Sequence, residues 1–536
     1  MSQPRFRRYA LPGSVLLTLA LVYLAAWATG SAGPSAAAGS SAPRTVPVTA
    51  VTRDCPPPGP GTGQAHVAML AVPPRTATAT PATAAPTTPV PTTATPTTAT
   101  PATATPTTEA AAQAPGATTL TAVPSASGSG NAGNVSTSGP ATPNALTVLS
   151  PPRAAEDAGT EVTATGRLAQ GFAAEQAAAD GTGTVTCTHP DSDMWFVGTG
   201  TDTGGSTVWL YLMNTGAMAA SVDVTVLTDA GVQSGQDNET TVAPHRYLSV
   251  NLATLAKGST VLAVHVQTSS GQVAADLWQG GGSGGAWLPL AASPATRLVV
   301  PGLTAAGGAA KLLVAVPGAQ DAQLRVTALM AQGKVQPLGT TPADAPAGAT
   351  SGFSLNSVGA SAAALVISSN VPVTAGVQVP GSGIGGFTAA AAPIAGQGVV
   401  AGNPSGGGDA VGLVLSAPGA TGRAAITVLP QPANPDRPPG SPSSNPERVV
   451  PSPQQTLTVR SGRTVQTAVS PPKGAKGPFA IVVTPLPGSG PLYAARVVMS
   501  GGNGLSGTLR SLLPVPSAVA AVQLPSASDS YSAVLP

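Results

Sequence analysis

Three stretches of the chain carry the same alternation of apolar and polar positions about a glycine: VWLYLMNTGAMAASVDVTVL from Val208, KLLVAVPGAQDAQLRVTAL from Lys311 and VGLVLSAPGATGRAAITVL from Val411. The glycines Gly216, Gly318 and Gly419 lie about one hundred positions apart. Each is followed by a tetrapeptide of one kind, Val224-Thr225-Val226-Leu227, Val326-Thr327-Ala328-Leu329 and Ile426-Thr427-Val428-Leu429. Side chains alternate faces along a strand, so this pattern on both sides of a turn predicts two strands, read as a hairpin, with one face buried. AVHVQTSSGQVAADLW from Ala263, ALVISSNVPVTAGVQV from Ala364 and AIVVTPLPGSGPLYAARVV from Ala480 predict two more strands in each unit. A Val-Val-x-Gly boundary at Val299 to Gly302 recurs at Val399 to Gly402.

A period near one hundred residues with several short strands fits an immunoglobulin-like sandwich in size and exceeds the roughly 20 to 50 residues of solenoid repeats. The fold class is therefore all-β, with about three tandem Ig-like β-sandwich-type repeats. Module 1 spans 144–298, module 2 spans 299–398, and module 3 spans 399–536 with a Pro-rich insertion at 430–453.

Upstream of the repeats the pattern changes. Arg5, Arg7 and Arg8 lie in a flank, 1–10, before an uncharged stretch from Leu11 to Ala28. Positive charge ahead of such a stretch keeps the flank in the cytoplasm and sends the remainder outside. As a helix, 11–28 is about 27 Å long, close to a membrane span. It reads as a transmembrane anchor in the cytoplasmic membrane, single-pass with the C-terminal part extracytoplasmic. The alternative is a signal peptide cleaved at Ala26-Trp27-Ala28 or Ala36-Ala37-Ala38, giving a secreted protein. An extracytoplasmic segment, 29–75, contains Cys55. Residues 76–143, which open TATATPATAAPTTPVPTTATP, hold too little core-forming material for a domain and read as a disordered Thr/Ala/Pro/Ser-rich linker, a composition also found in O-glycosylated stalks.

Composition sharpens this picture in two ways. Charged residues are 8% and aromatics 3% of the chain, against roughly 25% charge in an average soluble protein, so the cores must be small and built largely from Val and Ala. A net charge of +2 over 536 residues offers none of the basic surface that nucleic acid requires.

Candidate chemistry is sparse. Gly281-Gly282-Ser283-Gly284-Gly285 has the form of a nucleophile elbow, and Gly381-Ser382-Gly383-Ile384-Gly385-Gly386 that of a dinucleotide-binding loop. Both occupy the same place in successive repeats, where the third carries Gly501-Gly502-Asn503-Gly504, and neither is followed by a helix signal. A shared glycine-rich turn explains all three. His189, Asp191 and Asp193 form an incomplete metal-ligand set and read as a solvated loop. Asp276 and His265, on strands adjacent in sequence, are a candidate pair without a nucleophile. Trp195, Trp209, Trp278 and Trp287 all fall in module 1. Core packing accounts for at least three of them, and Trp209 and Trp287 are the candidate ligand-contact aromatics. No catalytic residue, metal site or cofactor is expected.

Cys187-x-x-Pro190, Trp195-Phe196-Val197-Gly198, the L-x-N turn at Leu212 to Asn214, Val273-Ala274-Ala275 and Pro301-Gly302 together resemble an actinobacterial family of secreted, membrane-anchored proteins of unknown function. The resemblance covers Cys55 and roughly residues 160 to 536. It implies an extracytoplasmic protein and carries over no functional residue.

Outside the membrane a disulfide between Cys55 and Cys187, the chain's two cysteines, is expected. It would pin Cys55 to the first unit, helped by alternating segments at Thr45 to Val51 and His66 to Val72, and would turn the Thr/Pro stretch into a displayed loop. The expected role is that of a non-enzymatic cell-envelope protein presenting β-sandwich modules to a cell-wall polymer or an envelope protein. The alternative is a carbohydrate-binding module, or an unrecognised envelope enzyme, in the first module.

Overall fold

The computed structural model describes residues 44–524 except 62–64, 75–113, 128–135, 140–141, 151–156, 179–182, 202–205, 234–238, 282–283, 305–308, 433–451 and the single positions 340, 356, 357, 359, 360, 407, 476 and 503. The anchor expected at 11–28 lies outside them. Among the described residues no helix is long and apolar enough to cross a membrane. A short ribbon pairing Arg44–Pro47 with Ala521–Leu524 forms a small unit by itself, and Pro47–Ala521 forms the other.

The second unit is built almost wholly of antiparallel strands, in four β-sandwiches of one topology. The second sandwich shows the plan. Its leading sheet orders Asp193–Thr199, Val261–Ser270 and Ala220–Thr228, with Gly231–Gln233 and Glu239–Val242 along the far edge. Its trailing sheet orders Arg246–Asn251, Thr207–Asn214, Ala274–Gly281 and Gly284–Leu288. Between the two lie Phe196, Leu210, Leu212, Val224, Val264 and Leu277.

The third sandwich repeats this order. There one long strand, Ala363–Val379, serves both sheets, pairing with Ala322–Met330 through its first half and with Ala310–Val316 through its second. The fourth repeats it again, with Gln397–Asn403, Phe479–Pro485 and Gly422–Pro430 in the leading sheet and Asp409–Ala417, Tyr493–Ser500 and Thr508–Pro514 in the trailing sheet.

Two sequence readings need correction here. The strands flanking Gly216, Gly318 and Gly419 are not hairpins: in each unit one belongs to the trailing sheet and the next to the leading sheet, so the glycine turn arches across the core. Alternation reports which side of a strand is buried, and a hairpin and an arch bury the same side. In the second sandwich the arch is held by Asn214 of the L-x-N turn, whose Nδ2 donates to the carbonyls of Met218 and Val242 while its Oδ1 accepts from Gly216 N.

The second correction concerns the N-terminal region. Ala50–Cys55, Gly159–Thr165, Thr118–Val123 and Ser136–Gly139 form one sheet, and Thr147–Leu149, Ala65–Ala71, Phe172–Ala178 and Val185–Thr186 form another. Together they are a sandwich in their own right. Two of its strands fall inside the stretch read as linker, and four more fall inside the expected module 1. Small residues hid it: TTLTAV and FAAEQAA bury Ala and Thr where a longer aliphatic would have marked a strand. The Thr/Pro-rich residues thus lie between two strands of one sandwich.

The four sandwiches close on one another. The leading sheet of each packs its outer face on the trailing sheet of the next. Val197, Leu227 and Ala263 of the second meet Leu313 and Ala315 of the third. Val299, Leu329 and Val366 of the third meet Tyr493 of the fourth. Val399, Ala401, Ala480 and Val482 of the fourth meet Ala68, Leu70 and Ala173 of the first. The first completes the ring against Tyr211, Met213, Tyr247 and Trp278 of the second. Repeating one head-to-tail contact until it closes is how heterologous interfaces form rings, here within a single chain.

The Val-Val-x-Gly boundary makes this docking fit. Gly302 sits in a bulge at φ +93, where a side chain would run into Ala495 and Leu512 of the fourth sandwich.

Candidate functional site

Strand register identifies one slot that recurs around the ring. On the trailing sheet, Glu175, Asp276, Gly376 and Ala495 lie opposite Ala68, Tyr211, Leu313 and Val414 respectively. Each faces the leading sheet of the preceding sandwich. Gly376 lies against the carbonyl of Val197 and Ala495 against Gly302, so two of the slots are apolar and tight. The other two hold buried carboxyl groups, and the structure treats them differently.

Glu175 is compensated. Its Oε1 accepts from Nη2 of Arg496 at 2.8 Å and its Oε2 from Gly402 N at 3.0 Å. Burial pushes this carboxyl up, against the opposing pull of Arg496 and the backbone N–H groups of Gly402 and Ala401. A buried charge is tolerated when paired and hydrogen-bonded in this way.

Asp276 is not compensated. No hydrogen bond or ion pair to its carboxyl is present among the described residues. Burial first, and then the nearby carboxyl of Asp54, hold its proton well above the usual carboxylate range. Asp54 is itself fully buried on the first sandwich and is pushed up to about 8, by burial and then by Glu161, its cross-strand neighbour. One oxygen accepts from Thr215 Oγ1 at 3.1 Å, while Oδ1 has no partner among the described residues. Arg53 next to it is depressed by burial, with Asp54 pulling the other way, and its Nη1 donates to the carbonyl of Thr52.

Beside Asp276 the four sandwiches leave a cavity of about 370 Å³. The first supplies Arg53, Phe172 and Cys187 to its wall, the second Asp276 and the run Trp287 to Ala292, the third Ala390 to Ala392, and the fourth Leu513 to Ser517. It is a mostly apolar cleft with a few polar groups, the composition common among small-molecule sites. The indole Nε1 of Trp287 is buried with no hydrogen-bond partner among the described residues.

The disulfide Cys55–Cys187 is formed, with a Cα–Cα distance of 4.3 Å. It joins the two sheets of the first sandwich, flanked by a reciprocal backbone pairing of Asp54 with Thr188 at 2.7 and 3.0 Å. Cys187 thus closes the first sandwich instead of opening the second.

Of the aromatic candidates, Trp287 is 5% exposed and Trp209 half-buried. They lie in one row, with Trp278 opposite both across the sheet. Trp287 packs edge-on to Trp278 at 5.0 Å and against Tyr211 at 5.6 Å, so its ring is engaged between sandwiches.

Asp276 and His265 do not meet, because their strands belong to opposite sheets. His265 bonds instead to Asp193 Oδ1 at 2.7 Å and stacks on Trp195 at 4.0 Å. His189 pairs with Asp191 at the surface. The described residues contain no group of three metal-ligating side chains. The glycine-rich motifs are turns joining the last two strands of the trailing sheet, where Gly281 pairs with Gly284 and Gly285 leaves room for the Trp278 ring.

Sequence reading missed Asp54, Glu161, Glu175 and Arg496. The signal was present: in a chain with 8% charge, a charged residue inside an apolar strand such as FAAEQAA or YAARVVMS is a feature to explain.

Fold and cavity define a class: a closed ring of tandem β-sandwiches with a mostly apolar pocket, carrying a few polar groups, where they meet. The chain belongs to the family described as Family of unknown function (DUF5719), whose model matches residues 148–439. The match begins within the strand Thr147–Leu149 of the first sandwich, takes in all of the second and third, and ends within the fourth. No curated protein and no solved structure matches the chain.

Proposed function

We propose that this is a non-enzymatic, extracytoplasmic protein of the cell envelope, tethered through its N-terminal segment, in which the sandwich ring serves as one rigid body for binding a partner protein or a wall polymer. The observation that carries the reading is the disulfide of the first sandwich. Such bonds persist in oxidising compartments and are rare in the cytosol. The charged, apolar N-terminal pattern supports the same location. Interaction in place of catalysis is supported by the setting of Asp276, which lies opposite Tyr211 in the aromatic layer packed between the first and second sandwiches.

A reporter fused after Pro536 should be active only outside the cytoplasm, and protein isolated from intact cells should carry Cys55 and Cys187 in one cross-linked peptide pair. Free thiols in the cellular protein would refute the location. Cross-linking in intact cells should capture an envelope protein or wall fragment on the ring. Turnover of a wall polymer by the purified chain, lost on Asp276→Asn, would overturn the non-enzymatic reading.

A further inference from the structure

The equivalent slots at Glu175 and Asp276 set up a comparison inside one molecule. At Glu175 the guanidinium of Arg496 supplies the positive charge. At Asp276 the same position on the same strand faces another carboxyl, Asp54, and opens on a cavity. On the cavity wall stand Arg53, with its Nη1 given to a backbone carbonyl, and His189, paired with Asp191; neither pairs with Asp276 among the described residues. With no cation beside it, the Asp276 carboxyl avoids a buried unpaired charge by keeping its proton. A positive group delivered from solution would take the place of that proton and stand against the carboxylate as a buried ion pair, so its binding releases a proton.

The remaining wall describes the rest of the ligand. Leu288, Leu290, Ala391, Pro514 and Pro516 provide apolar surface, and Trp287 adds an indole ring. A bare metal ion does not suit this lining, since hard cations take six or more oxygen ligands and the described residues contain no group of three side chains placed to hold one. A volume of about 370 Å³ suits a molecule of modest size.

We infer that the four-way junction is a binding site for a small organic cation, an ammonium group on an apolar body, with the charge at Asp276 and the body along Trp287 and the prolines of the fourth sandwich. The inference stands apart from the proposed location and from the non-enzymatic reading, since it concerns binding by the purified chain.

Phenethylamine, its uncharged isostere 2-phenylethanol and the anion 3-phenylpropanoate are suitable probes, titrated by calorimetry into the purified full chain near pH 7. Saturable binding of the amine is expected, with the alcohol at least tenfold weaker and the anion weakest. Asp276→Asn should weaken the amine at least tenfold without weakening the alcohol. Ala391→Trp, which fills the cavity from an edge position, should abolish binding of both while the melting transition is retained. Asp409→Asn, at a carboxyl paired with Arg510 elsewhere in the fourth sandwich, should leave binding unchanged. Absence of saturable amine binding, equal affinity for amine and alcohol, or indifference to both Asp276→Asn and Ala391→Trp would each overturn the inference.

Discussion

Replacing Asp54 by asparagine should stabilise the protein, and by an amount that grows with pH. Asp54 is pushed up from 3.8 to about 8 in the folded chain. In the unfolded chain it ionises near the ordinary value of about 3.9. Between these limits the folded state holds a proton that the unfolded state has lost. A carboxyl whose folded value is raised therefore contributes stability that is full below the unfolded value and is lost as pH rises towards the folded one. The slope for one proton is about 1.4 kcal/mol per pH unit, so about four units correspond to a loss on the order of 5 kcal/mol by pH 8. Asparagine cannot ionise, keeps an oxygen for the Thr215 hydroxyl, and removes the charge that helps raise Asp276. Urea unfolding of the two chains from pH 4 to 9 should show a difference near zero at pH 4 that rises in favour of Asp54→Asn and levels off above about pH 8. A difference that does not change with pH, or an asparagine variant less stable at pH 8, would refute the buried-carboxyl argument.

Three further outcomes follow from the same structure. Cys187→Ala, or reduction of the native chain, opens a loop closed across 132 positions, and urea midpoints should fall by an amount equivalent to about 3 to 5 kcal/mol. Arg496→Met strands Glu175 in the interface and should cost about 3 to 5 kcal/mol in thermal or urea unfolding, whereas the double change Glu175→Leu with Arg496→Met should recover most of it. Gly302→Ala forces a side chain into left-handed backbone against Ala495 and should cost about 1 to 3 kcal/mol or more; a neutral result by calorimetry would mean that the third and fourth sandwiches do not meet as described.

What the sequence discloses about this protein, and what it conceals, follows from the reach of each signal. Alternation over Val222 to Leu227 and its counterparts reports local burial, so the strands and their period of about one hundred residues were legible. Sheet membership is a non-local property, and the arches at Gly216, Gly318 and Gly419 read as hairpins for that reason. The first sandwich was obscured because its strands are short, rich in Ala and Thr, and separated by the Thr/Pro stretch. Only Cys55 and the alternating segments at Thr45 to Val51 and His66 to Val72 pointed to it. The junction site was harder still. Asp54 and Asp276 are far apart in the chain and come together only because the ring closes, and no pattern within either strand encodes that closure.

Ring closure also bears on how so aromatic-poor a chain holds together. A sandwich of about one hundred residues with a Val and Ala interior buries little apolar area per side chain, and small cores are marginal. Here each sheet is covered on both faces, by its own partner sheet and by the neighbouring sandwich, so Ala68, Ala263, Ala315 and Ala401 are buried as fully as core leucines. Small side chains are then an advantage, because they let two sheets approach closely over a wide area. The exception is the contact between the first and second sandwiches, where Tyr211, Tyr247, Trp278 and Trp287 replace the small residues. Asp54, Asp276 and the Trp287 side of the cavity all lie at this one contact, so the aromatic row and the junction pocket coincide at a single departure from the repeat.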